Sequence, residues 1–177
     1  MDNGNSLLKV TDNTVSPMGA RLQKRWILFP LRNITKINER LDAVSFLIIQ
    51  TDLRKQFSHA IRLCGDMERL VSKLPMKKIN PREVMHLAKG LQQTELVKQA
   101  CTSVENPYLQ RLADALNGCH YIVEKILKEI NETPPVAASK GGVIKEELQS
   151  RGLIHLHNSY RRWIDTYRID LRQELGY

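Results

Sequence analysis

Residues 16–30 read SPMGARLQKRWILFP, and this stretch carries the signals of a complete amphipathic helix. The Ser16 hydroxyl suits the N-cap, and Pro17 suits the first helical position because no N–H is needed there. Apolar side chains then recur at spacings of four, four and three, at Met18, Leu22, Trp26 and Phe29. Pro30 cannot donate a helical hydrogen bond, so it ends the helix. The stretch predicts a helix whose apolar face, with Trp26 as its anchor, packs in the core.

Two further helix starts use the same pair of signals, a side-chain cap followed by proline. They are Asn80-Pro81 and Asn106-Pro107. Glu83 follows Asn80 by three residues, the spacing at which a glutamate carboxylate reaches back to the cap in a capping box. Both sites are therefore predicted to begin helices.

Apolar residues keep a helical spacing along most of the chain, and strand-like alternation is nearly missing. The second stripe is Ile34, Ile37, Leu41, Val44, Leu47 and Ile48, with Asn33 or Thr35 as its cap; the third is Leu53, Phe57, Ile61, Cys64, Met67, Val71 and Leu74; the fourth is Val84, Leu87, Ala88 and Leu91; the fifth, a long one, is Leu109, Leu112, Leu116, Cys119, Val123, Ile126 and Ile130. The pattern predicts an all-α fold, a bundle of five or more helices joined by short connections.

The composition is that of an ordinary soluble globular protein. The 177 residues include 27 Lys plus Arg and 19 Asp plus Glu, a net charge of +8. No apolar run approaches the roughly 20 residues of a membrane span, and the N-terminus lacks a signal-peptide pattern. The three cysteines are an odd number and form no CxxC pair, so a disulfide framework is not indicated. These features favour the reducing cytoplasm and no membrane partner.

Sequence signals for catalysis are almost missing. None of the nine glycines is followed by lysine, so the chain has no phosphate-binding loop of the form GxxxxGK[ST]. Asp66 and Glu68 diverge on a helix, and His155-x-His157 lacks the further ligands that a zinc site needs. We therefore expect no catalytic, cofactor-binding or metal-binding residue, and no enzymatic activity in this chain.

Basic residues are concentrated near the first helix, since residues 13–38 contain Arg21, Lys24, Arg25, Arg32 and Lys36 but no acid. The first three lie at i, i+3 and i+4, so they share one helical face. Such a face suits the DNA backbone, because Lys and Arg neutralise phosphates and release counterions. The alternative is the solvated outer face of an amphipathic helix. Both interpretations stay open, and Lys77-Lys78 has the same ambiguity.

The composition shifts near Lys145–Glu147, which sets the last predicted domain boundary. We predict an N-terminal lead-in at 1–16, a helical core domain at 17–146 and a helical tail at 147–177. The tail carries apolar and aromatic residues at helical spacing, at Leu148, Leu153, Leu156, Tyr160, Trp163, Ile164, Tyr167 and Leu171. Its mixture of arginines and aromatic rings is also found in proteins that bind single-stranded nucleic acids.

Several ordered motifs resemble the opening of the core, or lever, domain of the MutS family of bacterial DNA mismatch-recognition ATPases. The first is TVSPMGARLQKRWILFPLRNI at residues 14–34. It is followed by INERLDAV at 37–44, GDMERL at 65–70, NPRE at 80–83, INETPP at 130–135 and GGVI at 141–144. Two features depart from the family pattern: Gln23 replaces a leucine, and residues 149–177 match no motif.

The resemblance implies long, lever-like helices that link the family's ATPase and clamp domains. Its implied partners are those other domains and, through the whole protein, mismatched DNA, with ATP and Mg²⁺ as cofactors of the whole protein only. No mismatch-reading or catalytic residue can be transferred, because the family carries them in segments that this chain lacks. Half of a lever domain should also expose an apolar surface, which predicts self-association as a homo-oligomer or coverage by the tail.

Overall fold

The computed structural model describes residues 6–76, 78–137 and 141–146, and in these ranges the chain is all-α, as predicted. Eight helices lie in the described ranges. They are α1 (Leu7–Thr11), α2 (Pro17–Leu28), α3 (Ile34–Ile49), α4 (Thr51–Cys64), α5 (Met67–Lys73), α6 (Pro81–Thr102), α7 (Pro107–Asp114) and α8 (His120–Glu129). The β-structure found there is a single antiparallel bridge between Ile130 and Ile144.

The predicted caps form in the structure. Ser16 Oγ accepts a hydrogen bond from the Gly19 N–H at 3.1 Å, and Asn106 Oδ1 accepts one from the Leu109 N–H at 3.0 Å. At the start of α3, Asn33 Oδ1 accepts from the Lys36 N–H at 3.0 Å, so Asn33 rather than Thr35 is the cap. Each cap satisfies a backbone donor that a helix N-terminus leaves unpaired.

The capping box at α6 also forms, and it extends to a third side chain. Asn80 Oδ1 accepts from the Glu83 N–H at 3.0 Å, while Glu83 Oε2 accepts from the Asn80 N–H at 3.0 Å. The second oxygen of Glu83 pairs with the Lys73 ammonium. The box therefore connects the start of α6 to the end of α5.

Two apolar stripes that predict continuous helices are each divided in two. The third stripe is interrupted at Gly65, whose φ of +65° lies in the region that favours glycine. The fifth is interrupted between Asp114 and His120, so the prediction of one long helix there is wrong. Asn117-Gly118, a dipeptide typical of turns, explains this second break. The spacing of apolar residues alone does not reveal such breaks, because each half keeps its own helical period.

The described chain forms two compact units. Among the described residues, the first contains residues 6–66 and 96–115, and the second contains residues 67–76, 78–95, 116–137 and 141–146. Helix α6 supplies residues to both units, with the division falling between Glu95 and Leu96.

Each unit has its own core. Buried residues of the first are Ala43, Phe57, Cys101, Leu109 and Ala113. Buried residues of the second are Leu74, Ile79, Val84, Met85, Leu87, Ala88, Leu91, Cys119, Ile122, Val123, Ile126 and Ile130. All four residues of the fourth predicted stripe are thus in a core, which confirms that stripe.

The first predicted stripe is not in a core, which corrects the expectation for Trp26. Helix α2 has no buried residue, and Trp26 is 46% exposed and Phe29 77% exposed. On α3, the buried residue is Ala43, whereas Leu41 and Val44 of the predicted stripe are more than half exposed. Periodicity identifies an apolar face, but coverage requires a second element, and the described residues cover this face only in part.

Candidate nucleic-acid interface

Arg21, Lys24 and Arg25 lie on α2, in the first unit. The Arg21 guanidinium is engaged with Asp66, to which its Nη2 and Nη1 donate hydrogen bonds at 2.6 Å and 3.1 Å. This two-pronged geometry matches the planar fork of arginine to a carboxylate. Arg21 is therefore partly neutralised where the sequence predicts a contact with a phosphate.

Lys24 and Arg25 have exposed side chains. Within the part of the chain that the structure describes, neither side chain forms an ion pair. Lys24 and Arg25, as neighbouring cations without an ion pair among the described residues, are better suited to contact an anionic surface than Arg21, which is paired. Contact with the DNA backbone by Arg21, Lys24 and Arg25 stays a prediction, with Lys24 and Arg25 as the available charges.

A second basic feature of the first unit is a groove of about 580 Å³ between α3 and α7. Its lining consists of Asn33, Thr35, Lys36, Glu39 and Arg40 from α3 and its cap, and of Tyr108 and Arg111 from α7. Three of these side chains are cationic and one is anionic. The groove thus has a net charge of +2 at neutral pH.

Two of the groove cations are held in place by neighbours. The Arg40 guanidinium lies over the Trp26 ring, 4.3 Å from its centroid, which is within the range of a cation–π interaction. Arg111 Nη2 pairs with Glu39 Oε2 at 2.7 Å, and its guanidinium carbon lies 5.8 Å from the Tyr108 ring centroid. Exposed Trp26 therefore positions a groove cation instead of anchoring a core.

Sequence reasoning found only part of this groove. Lys36 belongs to the acid-free window of residues 13–38, but Arg40 and Arg111 carry no signal that connects them. They are 71 positions apart along the chain and line the same groove only because α3 packs on α7. No local pattern could have predicted that contact.

Other candidate sites are placed as follows. His155, His157, Lys77 and the aromatic tail residues lie outside the described residues. The three cysteines are buried and form no disulfide in the described chain, and burial raises the pKa of the Cys101 thiol, so this thiol is less reactive. Among the described residues, no group of three His, Cys, Asp or Glu side chains could hold a metal ion.

No described helix is both long and apolar enough to span a membrane.

The sequence matches the family model of MutS domain III over residues 1–175. The chain belongs to the MutS domain III family. The recognised motifs are thus explained, and the match extends past residue 148 into the segment without recognised motifs.

Several curated relatives of this domain III chain are DNA mismatch repair proteins named MutS. Those of Bacteroides thetaiotaomicron and Bacteroides fragilis are each 46% identical over 145 residues, which is 82% of this chain. That of Parabacteroides distasonis is 37% identical over 175 residues, or 96% of this chain. The chain spans only 17% to 20% of the length of these relatives, so it corresponds to a piece of a multi-domain mismatch repair protein.

The glycine pair of this chain does not have the sequence of a loop that would hold the ATP and Mg²⁺ implied for the whole protein. Gly141 and Gly142 are the only adjacent glycines, and they are followed by Val143 and Ile144 instead of a lysine and a hydroxyl residue. The carbonyl of Gly142 accepts a hydrogen bond from Asn131 Nδ2 at 2.6 Å. Through this hydrogen bond, the glycine pair is held beside the end of α8.

Proposed function

We propose that this chain is a structural lever element of a mismatch repair protein and has no enzymatic activity of its own. The observation that carries the proposal is the arrangement of α6. This helix of 22 residues supplies Val84, Leu87 and Leu91 to one core and Cys101 to the other. A helix that contributes side chains to two separate cores can carry a change in one core to the other.

The proposed partners are the remaining domains of the same protein and, through them, mismatched DNA. In this proposal, ATP and Mg²⁺ bind to those other domains. The whole protein acts in the cytoplasm. The names of the relatives support the mismatch repair role, and the missing phosphate-binding loop supports the lack of activity. The exposed apolar side chains of α2 and α3 support coverage by another protein surface or by a second copy.

A chimera tests the lever role. The chain's residues replace the matching segment in the MutS protein of Bacteroides thetaiotaomicron, and two glycines are then inserted between Glu95 and Leu96. We measure ATP hydrolysis with mismatched and with fully paired duplex DNA. The insertion should abolish the difference between the two duplexes while binding of each ligand alone persists. The control places the same glycines between Val136 and Ala137, outside the helices.

Persistence of the mismatch response after the α6 insertion would contradict the lever role. The lack of activity has its own test, in which the isolated chain is incubated with ATP and duplex DNA. The proposal would be contradicted by ATP hydrolysis that exceeds the buffer background and is absent from an unrelated protein purified in the same way.

A second candidate function is direct binding of the DNA backbone by Arg21, Lys24 and Arg25. The exposure of Lys24 and Arg25 and the net charge of +8 favour it. Fluorescence anisotropy of a labelled duplex across salt concentrations tests it, because each neutralised phosphate contributes about −0.9 to the log–log slope. Lack of binding at low salt would remove this candidate.

A further inference from the structure

We propose that the groove between α3 and α7 is a binding site for phosphate groups. The first argument is charge. Lys36, Arg40 and Arg111 line it with one carboxylate, Glu39. Glu39 is already paired with Arg111 at 2.7 Å, so Lys36 and Arg40 supply the uncompensated charge. This site lies outside the face formed by Arg21, Lys24 and Arg25, and it does not depend on the lever role.

The second argument is the order of the cations before any ligand arrives. Arg40 lies 4.3 Å from the centroid of the Trp26 ring, and Arg111 is fixed by Glu39. A guanidinium that is already oriented loses less conformational freedom when it binds a phosphate oxygen. The Lys36 ammonium forms no ion pair within the described chain, and it is free to reach the same ligand.

The third argument is the size and the remaining polar lining of the groove. Its volume of about 580 Å³ falls in the range of pockets that hold a small ligand, roughly 300–1,000 Å³. Asn33 Oδ1 accepts from the Lys36 N–H, so the amide NH₂ of Asn33 is the end left as a donor. The Thr35 hydroxyl is a second uncharged donor in the lining. Cations with uncharged donors suit a phosphate rather than a neutral or cationic ligand.

Phosphate groups occur both in the backbone of DNA and in free polyphosphates. Two probes distinguish these two sources. One is a fluorescein-labelled duplex of 20 base pairs, followed by anisotropy from 25 to 200 mM salt. The other is inorganic tripolyphosphate, followed by calorimetry and by competition with the duplex. The full chain is used throughout.

The test variant is Lys36→Gln with Arg40→Gln, which lowers the net charge of the groove from +2 to zero. The matched control is Arg54→Gln with Arg62→Gln, which removes the same charge from exposed side chains of α4 in the same unit. We expect the groove variant to weaken binding at least tenfold and to reduce the salt slope by about 1.8, since two contacts are lost. The control should weaken binding less than threefold.

Equal weakening by both double variants would overturn the proposal, since binding would then follow net charge alone. Failure of both probes to bind at 25 mM salt would also overturn it. Binding of the duplex alone assigns the groove to backbone phosphate, and binding of tripolyphosphate with the same dependence on the variants assigns it to free phosphate. If circular dichroism shows that the double variant is unfolded, Lys36→Gln alone decides the question with an expected three- to fivefold loss.

Discussion

The Arg21 guanidinium donates to both carboxylate oxygens of Asp66, at 2.6 Å and 3.1 Å, although 45 positions separate the two residues. Arg21 belongs to the SPMGARL stretch and Asp66 to the GDMERL stretch, both of which carry the family resemblance. The ion pair therefore joins two motifs that are distant along the chain. It fixes the end of the α4 segment against α2 within the first unit.

Asp66→Asn should destabilise the first unit by about 0.5–1 kcal/mol, because the pair is partly exposed and solvent screens it. The Arg21 side chain is 45% exposed and that of Asp66 is 22% exposed. The control is Asp52→Asn, whose partner Lys55 lies 3.9 Å away and whose side chain is 93% exposed. It should cost less than Asp66→Asn in urea unfolding, since it removes only a fully exposed charge at the start of α4. Equal effects of the two substitutions would contradict a specific role for the Arg21–Asp66 pair.

Trp26→Ala should cost less than the sequence alone predicts. A Trp26 in the core would cost about 3–5 kcal/mol on truncation, but this side chain is 46% exposed. We expect about 1–2 kcal/mol from lost contact area and from the lost cation–π interaction with Arg40. The comparison is Leu109→Ala in the same unit, 5% exposed, with an expected loss of about 2–5 kcal/mol. Urea denaturation measures both, and a larger loss for Trp26→Ala would place its ring in the core.

Local chemistry determines where the helices begin, and this part of the fold was predictable. A cap and a following proline act within four residues, so Ser16, Asn80 and Asn106 are readable from the sequence. Breaks at Gly65 and at residues 115–119 were not predicted, because apolar spacing continues across them. Which apolar face becomes a core depends on contacts between distant segments, and the misplacement of Trp26 shows the consequence.

The candidate site was likewise predictable only in its local part. The cations of α2 were found because they lie within five residues of one another. The groove needs Arg111 beside Glu39 and Arg40 above Trp26, and both contacts arise from tertiary packing. From the sequence, Asp66 was considered only with Glu68 and the two were rejected as a catalytic pair, whereas the structure makes Asp66 the partner of Arg21.

Glu83 should make stability depend on acid pH. Burial acts to raise the pKa of this carboxyl, but hydrogen bonds from the Lys73 ammonium and the Asn80 N–H, together with nearby positive charges, bring its pKa below the ordinary 4.5. A carboxyl whose pKa is lower in the folded state stabilises the fold fully above its unfolded-state pKa. That contribution is lost as the pH falls through the folded-state pKa.

Glu83→Gln removes this dependence, since glutamine can still accept from the Asn80 N–H but carries no charge. The wild-type protein should be more stable than the variant at pH 7, and this difference should be smaller at pH 3. Urea unfolding at both pH values measures this difference. Glu132→Gln, a substitution of an exposed glutamate, is the matched control and should follow the wild-type protein at both. A gap for Glu83→Gln that stays constant with pH would contradict the assignment.

Gly118 lies against the Glu95 carboxylate, and this contact predicts an effect of adding a single methyl group. A Cβ at position 118 would lie 2.5 Å from Glu95 Oε2, so the carboxylate would have to move. Glu95 is only 20% exposed and also contacts His120 Nε2 at 3.2 Å, which restricts that movement. Gly118→Ala should therefore destabilise the second unit by about 1–2 kcal/mol.

A double-mutant cycle tests whether Glu95 is the cause. Shortening the carboxylate in Glu95→Ala makes room for the new methyl group, so Gly118→Ala should cost less in that background than in the wild-type protein. Thermal unfolding of the four proteins gives the coupling energy, which we expect to be about 1 kcal/mol in favour of the double variant. Additive effects would show instead that alanine is disfavoured at position 118 by the backbone of the 115–119 turn.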